Sequence, residues 1–244
     1  MSRKVLWFEG ILAPMTSLRS QRLSIVIPCY NEEVAAPMVV EKIVNWTRQV
    51  GFEFCEILVV NDGSTDATRQ HISGRSEVVE IYSEACEGYG ASLKKGFARA
   101  QGDLVLFFDM DDTYQIEDLQ KMFEELQTKK LAVVFGNRLE KRSGMPWVRF
   151  VGNLFYRHVL RLLAFPPLRD PCTGMRLFRR QLVPSFCQIG PNDFSYSIAL
   201  SLFILKSKIP YGEVEISYHS RAGISKLSAI VDGWRFFWTI LSSR

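Results

Sequence analysis

The stretch Leu104-Val105-Leu106-Phe107-Phe108-Asp109-Met110-Asp111-Asp112-Thr113-Tyr114 passes from an apolar run straight into three carboxylates within four positions. An uninterrupted apolar run reads as a strand buried on both faces. Unpaired charge cannot follow such a strand into a core, so the carboxylates must emerge at its carboxyl end. In open α/β sheets that edge is where ligands bind. Clustered hard oxygen donors there suit Mg²⁺ or Mn²⁺, and such a cation commonly grips a diphosphate. The competing reading is a solvated acidic turn with no ligand.

Working outward, apolar runs and helical patterns alternate. Leu23–Ile27, Ile57–Val60, Val78–Ile81 and Ala132–Phe135 read as strands. Val34–Val50, Thr65–Ile72 and Gly90–Ala100 read as helices between them, and Leu119, Met122, Phe123 and Leu126 recur at helical spacing. Ser64 or Asp66 can cap the second helix and Asn31 the first. This alternation implies an α/β fold, a mostly parallel sheet with helices on both faces. Beyond Arg138 the pattern is less regular. Thr173–Phe178 and Val214–Tyr218 read as strands and Phe194–Leu205 as a helix. One domain with a small lobe starting near Arg138 is expected.

Hydrophobic residues make up 47% and charged residues 23% of the 244 positions, which is ordinary for a globular chain. The five cysteines are scattered without a Cys-x-x-Cys, and the three histidines lie far apart. A disulfide framework or structural zinc site is not expected, and a reducing cytoplasm fits. The net charge of +4 hides an asymmetry: eight acids and one Lys between Asp103 and Glu125, then ten Lys or Arg and two acids between Arg138 and Arg180. Such neighbours suit a metal site beside an anion site, the bland alternative being two solvated faces. No nucleic-acid-binding motif is present, so nucleic acid is not an expected partner.

No run reaches the length needed to span a bilayer, and Met1–Arg22 lacks the apolar core and small-residue site of a secretory signal. Two segments look interfacial. Trp147–Leu168 mixes Phe150, Phe155 and several Leu with Arg149, Arg157 and Arg161, and Ile230–Leu241 holds Trp234, Phe236, Phe237 and Trp238 with Arg235. Aromatics and Arg at helical spacing can lie in a headgroup plane, or such helices can face a core. Trp7-Phe8 with Arg3 and Lys4 offers a third contact.

Two common phosphate-binding designs fail. No Gly-x-x-x-x-Gly-Lys-Ser/Thr occurs, and Gly88-Tyr89-Gly90 starts a dinucleotide fingerprint but places Leu93 where its third Gly belongs. Instead, Ser24-Ile-Val-Ile-Pro-Cys-Tyr-Asn-Glu-Glu33, Ile57-Leu-Val-Val-Asn-Asp-Gly-Ser-Thr-Asp-Ala-Thr68, Gly88-Tyr-Gly-Ala91 and Phe108-Asp-Met-Asp111 resemble, in order and spacing, the family 2 glycosyltransferases. Gly136-Asn-Arg138, Asp170-Pro-Cys-Thr-Gly-Met-Arg176 and Ser220–Lys226 are similar to its dolichyl- or polyprenyl-phosphate sugar transferase branch. The resemblance implies a GT-A fold, Rossmann-like, over residues 23–227. Residues 1–22 would then be an N-terminal extension and 228–244 an amphipathic aromatic segment.

The resemblance also implies roles. Pro28, Tyr30 and Glu32 would hold the base and ribose of a nucleotide sugar, Asp62 would contact the base, and Gly88 would line the donor site. Asp109-Met110-Asp111 would hold donor and metal, with Asp109 and Asp111 as the ligands to Mg²⁺ or Mn²⁺. Thr113 stands where relatives often carry Gln, and Asp112 could substitute for it or face water. Arg138, Arg149, Arg221 and Lys226 would neutralise the acceptor phosphate and the donor diphosphate, with Ser225 adding a hydrogen bond. Arg suits this task by its planar fork, Lys as a point charge. A phosphate monoester, with a second pKa of about 6, needs cations to place it rather than a base.

The implied activity is inverting hexose transfer from a GDP-mannose or UDP-glucose type donor to polyprenyl or dolichyl phosphate. It would act at the cytoplasmic membrane face, peripherally bound or with a membrane-protein partner. One rival is transfer to a saccharide hydroxyl, which needs a base. Asp193 is the candidate, with Asp170 second, although Asp170 looks set to pair with Arg176. A further rival is an inactive nucleotide-sugar-binding subunit of a membrane complex, and a nucleotidyltransferase is more distant.

Overall fold

Each apolar run becomes a strand of one sheet. In the computed structural model, which describes residues 18–139, 145–223, 225–228 and 231–242, β1 (Arg22–Cys29), β2 (Phe54–Asn61), β3 (Val78–Tyr82), β4 (Leu104–Phe108), β5 (Val133–Asn137), β6 (Met175–Arg179) and β7 (Tyr211–Glu215) align in the order β3-β2-β1-β4-β6-β5-β7. All neighbours are parallel except β6, which enters antiparallel between β4 and β5. The helices are α1 (Ala36–Val50), α2 (Thr68–Ile72), α3 (Tyr89–Arg99), α4 (Leu119–Thr128), α5 (Trp147–Leu162), α6 (Val183–Cys187), α7 (Ser195–Lys206) and α8 (Val231–Ser242).

Both faces of the sheet are covered, which is why its strands read as continuous apolar runs. Successive residues of β1 serve opposite layers. Ile25 and Ile27 pack with Val40 and Ile43 of α1 and with Met122 and Phe123 of α4. Val26 packs with Leu93 and Phe97 of α3 and Leu200 of α7. A smaller core joins Tyr156 and Leu160 of α5, Ile198 and Leu202 of α7, and Phe236 and Ile240 of α8.

The last strand lies three residues earlier than its apolar pattern suggests. Tyr211–Glu215 pairs with Val133–Asn137, and the chain then leaves the sheet. Ile216 covers Gly136, and Tyr218 forms an antiparallel bridge with Tyr114. These apolar residues therefore cap the strand ends instead of extending the ladder. Trp7-Phe8, Arg3 and Lys4 lie outside the described residues. Leu18 is already buried, and Arg19 Nε donates to the Val50 carbonyl at 3.0 Å.

Candidate active site

The site grows from the place where the strand order reverses. The chain passes from β1 to β2 on one side and reaches β4 on the other, and the β1–β4 ladder ends at Val26 and Phe107. Beyond that pair the two strand ends diverge, leaving a crevice of the kind that binds ligands in open α/β sheets. Tyr30–Glu32 form one rim and Asp109–Asp111 the other.

The first rim is fastened to the loop after β2. Asn31, in the left-handed region at φ 52°, donates its N–H to Ser64 Oγ at 3.0 Å, and its Oδ1 accepts from Thr65 N at 2.8 Å. Glu32 N donates to Thr68 Oγ1 at 2.7 Å. Asn31 thus links two loops and does not cap α1. Asp66 accepts from Thr68 N at 2.9 Å just ahead of α2, whose N-cap position is Ala67 rather than Ser64 or Asp66.

On the second rim Asp111 is oriented by Thr113, whose Oγ1 donates to Asp111 Oδ1 at 2.6 Å. Thr113 therefore positions a carboxylate rather than standing as a free donor. Asp112, at φ 58°, turns away to Lys42 at 2.6 Å. Asp109 accepts from the Tyr89 hydroxyl at 2.7 Å. Burial, and then the charge of Asp111, push the Asp109 pKa up from 3.8 to about 7.

A cation bridges the rims. Arg221 Nη1 donates to Asp111 Oδ2 at 2.8 Å while Nη2 donates to Glu32, and the Arg221 Nε is buried without a partner among the described residues. Lys226 Nζ lies 3.4 Å from Glu32 and also donates to the Asn31 carbonyl. Burial nonetheless keeps the Glu32 pKa raised against these cations. Arg149 donates to Ser225 Oγ in the same segment. The loop carrying Arg221 is held over the cleft by backbone bonds from His219 to Thr113 and from Ala222 to Asp111.

Arg138 takes a different place from the one expected. Its Nε and Nη2 grip Asp170 at 2.6 and 2.8 Å, and Asp170 is fully buried. Burial disfavours the Arg138 charge, but Asp170 outweighs it and holds the guanidinium protonated. Nη1 donates to the Tyr114 hydroxyl at 3.2 Å, and that oxygen also accepts from Gly174 N at 2.8 Å. Arg138 thus stands behind the cleft and braces the Gly174 segment against Asp109. Arg176, expected beside Asp170, instead donates to the carbonyls of Thr173, Pro171 and Ser197 beneath the sheet face.

Other expected donor residues also turn inward. Asp62 accepts from Glu87 N at 3.0 Å, Gly88 N at 2.8 Å and Cys86 Sγ at 3.3 Å, so it fastens the loop that carries Gly88. Met110 is 2% exposed and packs into the core, which leaves only its backbone for a ligand. Pro28 lies in β1 opposite Val60, past the end of the β4 ladder, where its missing N–H breaks no bond to β4. Asp193 accepts from Ser195 N at 2.8 Å at the start of α7 and lies 3.5 Å from Arg235. Tyr89, Tyr114 and Gly174 carry the site without having been singled out. Tyr89 lay in plain view inside Gly88-Tyr-Gly-Ala91, but nothing local marked its hydroxyl as facing Asp109.

Residues 24–185 match the model of glycosyl transferase family 2. The chain belongs to that family. It is 29% identical over 221 residues to the low-salt glycan biosynthesis hexosyltransferase Agl6 of Haloferax volcanii, covering 87% of this chain and about half, 51%, of that relative. It is likewise 29% identical to the dolichyl-phosphate hexose transferase of the same organism, covering 90% of this chain and 92% of the relative. The human dolichyl-phosphate beta-glucosyltransferase is 26% identical, covering 85% and 70%. Among solved structures, glucosyl-3-phosphoglycerate synthase from Mycobacterium tuberculosis, in complex with Mn²⁺, uridine diphosphate and phosphoglyceric acid, superposes with a TM-score of 0.73 at 20% identity. It covers 94% of this chain and 81% of that one. This family 2 chain thus has the GT-A glycosyltransferase fold.

The donor chemistry of the cleft fits a divalent cation. Asp109 and Asp111 are hard oxygen donors whose charges oppose each other, and a guanidinium already stands against Asp111 as a cationic stand-in. Burial first, and that opposition second, raise the Asp109 pKa in the folded chain. Folded Asp109 retains a proton up to about pH 7, whereas an unfolded carboxylate releases it near 3.8. Stability is therefore expected to be greatest below the ordinary carboxylate range and to fall as pH rises through that window. Tm recorded in EDTA should decline between pH 4.5 and 7.5, and Asp109→Asn should flatten the decline. An equal slope in the variant contradicts the assignment.

Proposed function

We propose that this chain is an inverting hexosyltransferase that moves a sugar from a nucleotide sugar to polyprenyl or dolichyl phosphate at the cytoplasmic face of a membrane. The observation that carries the reading is the crevice itself: Arg221 spans it from Asp111 to Glu32, Lys226 stands beside Glu32, and Arg149 and Ser225 lie in the same segment. The dolichyl-phosphate hexosyl relatives support the acceptor class, and the Mn²⁺ in the structural neighbour supports the metal.

In this reading Tyr30 and Glu32 hold the nucleoside from the β1 rim, while Asp111 and Asp109 hold Mg²⁺ or Mn²⁺. The bound cation supplies Lewis-acid neutralisation of the charge that grows on the leaving diphosphate. No further His, Cys, Asp or Glu completes a ready-made metal cluster among the described residues. Remaining coordination positions then fall to the donor and water.

Arg221 and Lys226 change partners from the carboxylates to phosphate oxygens when donor and acceptor enter. An acceptor phosphate oxygen forms the new bond to the anomeric carbon from the face opposite the nucleotide. The old anomeric C–O bond breaks, and its electron pair leaves on the diphosphate. The ionised acceptor has no proton to lose, so no carboxylate base is required. Arg138 and Asp62 act in this scheme by holding the Gly174 and Gly88 loops.

The surface beside the cleft suits a lipid-borne substrate. On α5, Trp147, Val151 and Phe155 lie four residues apart along one exposed stripe, and Trp234 and Trp238 of α8 form another beside it. Arg157, Arg161 and Arg235 are exposed on the same helices. Large aromatics with Arg match the headgroup region of an anionic membrane. No helix among the described residues is long and apolar enough to cross one. Trp234→Ala with Trp238→Ala should weaken sedimentation with anionic vesicles by at least about tenfold and leave Tm nearly unchanged. Equal vesicle binding removes the membrane role of α8.

The deciding experiment offers labelled UDP- and GDP-sugars, with Mn²⁺ or Mg²⁺, to a short polyprenyl phosphate and to free saccharides. Label extracted into organic solvent supports the reading, and Asp193→Asn should then keep turnover within about threefold because an amide oxygen can still accept from the Ser195 N–H as Asp193 does now. Label on a water-soluble saccharide, abolished by Asp193→Asn, establishes the hydroxyl-acceptor rival. Nucleotide-sugar binding without transfer under any condition establishes the inactive-subunit rival.

A further inference from the structure

Tyr89 lies at the foot of the donor crevice in a slot that allows its hydroxyl one direction. Its ring is wedged between Phe107 and Phe194, with centroids 5.9 and 5.0 Å away. The phenol hydroxyl donates to Asp109 Oδ1 at 2.7 Å. On the opposite side of that carboxylate, a Cβ on Gly174 would fall inside Oδ2. Asp109 is therefore clasped between a hydroxyl and a glycine.

The backbone bearing Tyr89 is pinned as well. Gly88 stands at φ 106°, and a Cβ there or on Gly90 would strike the backbone of Pro191 and Asn192. The Asn192 carbonyl accepts from Gly90 N at 2.6 Å and Ala91 N at 3.1 Å. The segment that supplies Asn192, Asp193 and Phe194 thus seats Tyr89 both through its backbone and through the Phe194 ring.

We propose that Tyr89 is a positioning residue that sets the orientation in which Asp109 meets a metal–nucleoside diphosphate and ties that orientation to the Pro191–Phe194 segment. The assignment rests on the glycosyl-transfer reading above. A bound cation would hold Asp109 ionised, and a hydroxyl bonded to an ionised acceptor is among the stronger hydrogen bonds. Partners that orient metal-ligating carboxylates influence affinity nearly as much as the ligands themselves.

The test uses the full chain and the paramagnetic resonance of free Mn²⁺ during titration with UDP or GDP. Tyr89→Phe keeps the wedge and deletes the hydroxyl. It should lower Mn²⁺–nucleotide affinity roughly tenfold to a hundredfold and raise the donor KM more than it lowers kcat. Tyr196→Phe is the control. That buried hydroxyl donates to the Phe186 carbonyl at 2.9 Å, away from the carboxylates, and its loss should leave affinity unchanged. Phe194→Leu retains the Tyr89 hydroxyl but loosens its slot, and should give an intermediate loss even if Tyr89→Phe does not fold.

The assignment is overturned if Tyr89→Phe binds Mn²⁺–nucleotide within twofold of wild type. It is equally overturned if Tyr196→Phe loses as much, or if Phe194→Leu matches wild type. A wild-type chain that binds no Mn²⁺–nucleotide brings down the glycosyl-transfer reading, and this assignment with it. Wild-type binding with an unaffected Tyr89→Phe removes only the latter.

Discussion

Asp111→Asn is expected to lower sugar transfer by on the order of a thousandfold, the rate equivalent of losing several kcal/mol of Lewis-acid stabilisation. The change is nearly isosteric. Its amide oxygen can still accept from Thr113 Oγ1, which now bonds Asp111 Oδ1 at 2.6 Å. On the other side an amide N–H₂ would face the Arg221 guanidinium, donor against donor, where a carboxylate oxygen now accepts at 2.8 Å. The variant thus loses its charge for a divalent cation and frees Arg221 from one rim of the crevice. Initial rates with saturating donor and Mn²⁺ measure the loss of transfer, and a Mn²⁺ titration without donor measures the loss of cation binding. Turnover within threefold of wild type would place the cation's seat elsewhere.

Asp170→Asn should be the most damaging change to stability, by about 3–5 kcal/mol, because it strips a buried arginine of its counter-charge. Asp170 is fully buried and binds the Arg138 side chain through both oxygens, and it also accepts from the Arg138 backbone N–H at 3.1 Å. Glu213 steadies it from behind, accepting from the Asp170 N–H at 3.2 Å. For a chain of this size, thermal unfolding should shift down by roughly 6–20 °C. Loss of the pair should also release Tyr114 and the Gly174 segment that confines Asp109, so surviving protein should bind donor more weakly. Replacing both partners, Arg138→Met with Asp170→Leu, should recover much of the stability, since buried pairs stabilise little relative to well-packed apolar residues. A loss under about 1 kcal/mol in the single variant would show that the pair does not hold this segment.

The legible part of the site was legible for a local reason. β1 and β4, and β2 as far as Val60, are apolar near their carboxyl ends because helices cover both faces. The acids that follow must leave the core at the ligand edge, and Glu32, Asp109 and Asp111 do so. Arg221 and Lys226, singled out by the resemblance, reach the acidic rims. Helix starts and strand ends moved by a few residues where capping came from another loop, as Thr65 shows by donating to Asn31.

What the residue order concealed depended on β6. Because that strand runs antiparallel between β4 and β5, Phe107 and Phe135 flank Arg176, and its guanidinium lies 5.8 and 5.0 Å from their rings. Its Nε and Nη2 meet carbonyls there, and Asp170 is left to Arg138 from the end of β5. Sequence spacing favoured Arg176 as the partner of Asp170, but a strand directs its side chains by register, not by proximity along the chain. The same insertion brings Gly174 against Asp109 and Tyr114. Asp62 and Met110 have the residue types of a donor site at the correct strand ends, yet one closes a loop and the other fills the core.

By itself the sequence determined the alternating α/β architecture, the strand ends at which acids collect, and the presence of basic and aromatic residues elsewhere in the chain. Those properties follow from periodicity and from the cost of burying charge, and both act over a few residues. Only the tertiary structure decided which cation faces which carboxylate: Arg221 across the crevice, Arg138 behind it, Arg176 beneath it. Ion pairing is set by a few ångströms between segments distant in the chain, and that distance exists only after the antiparallel strand and the closing loop have docked.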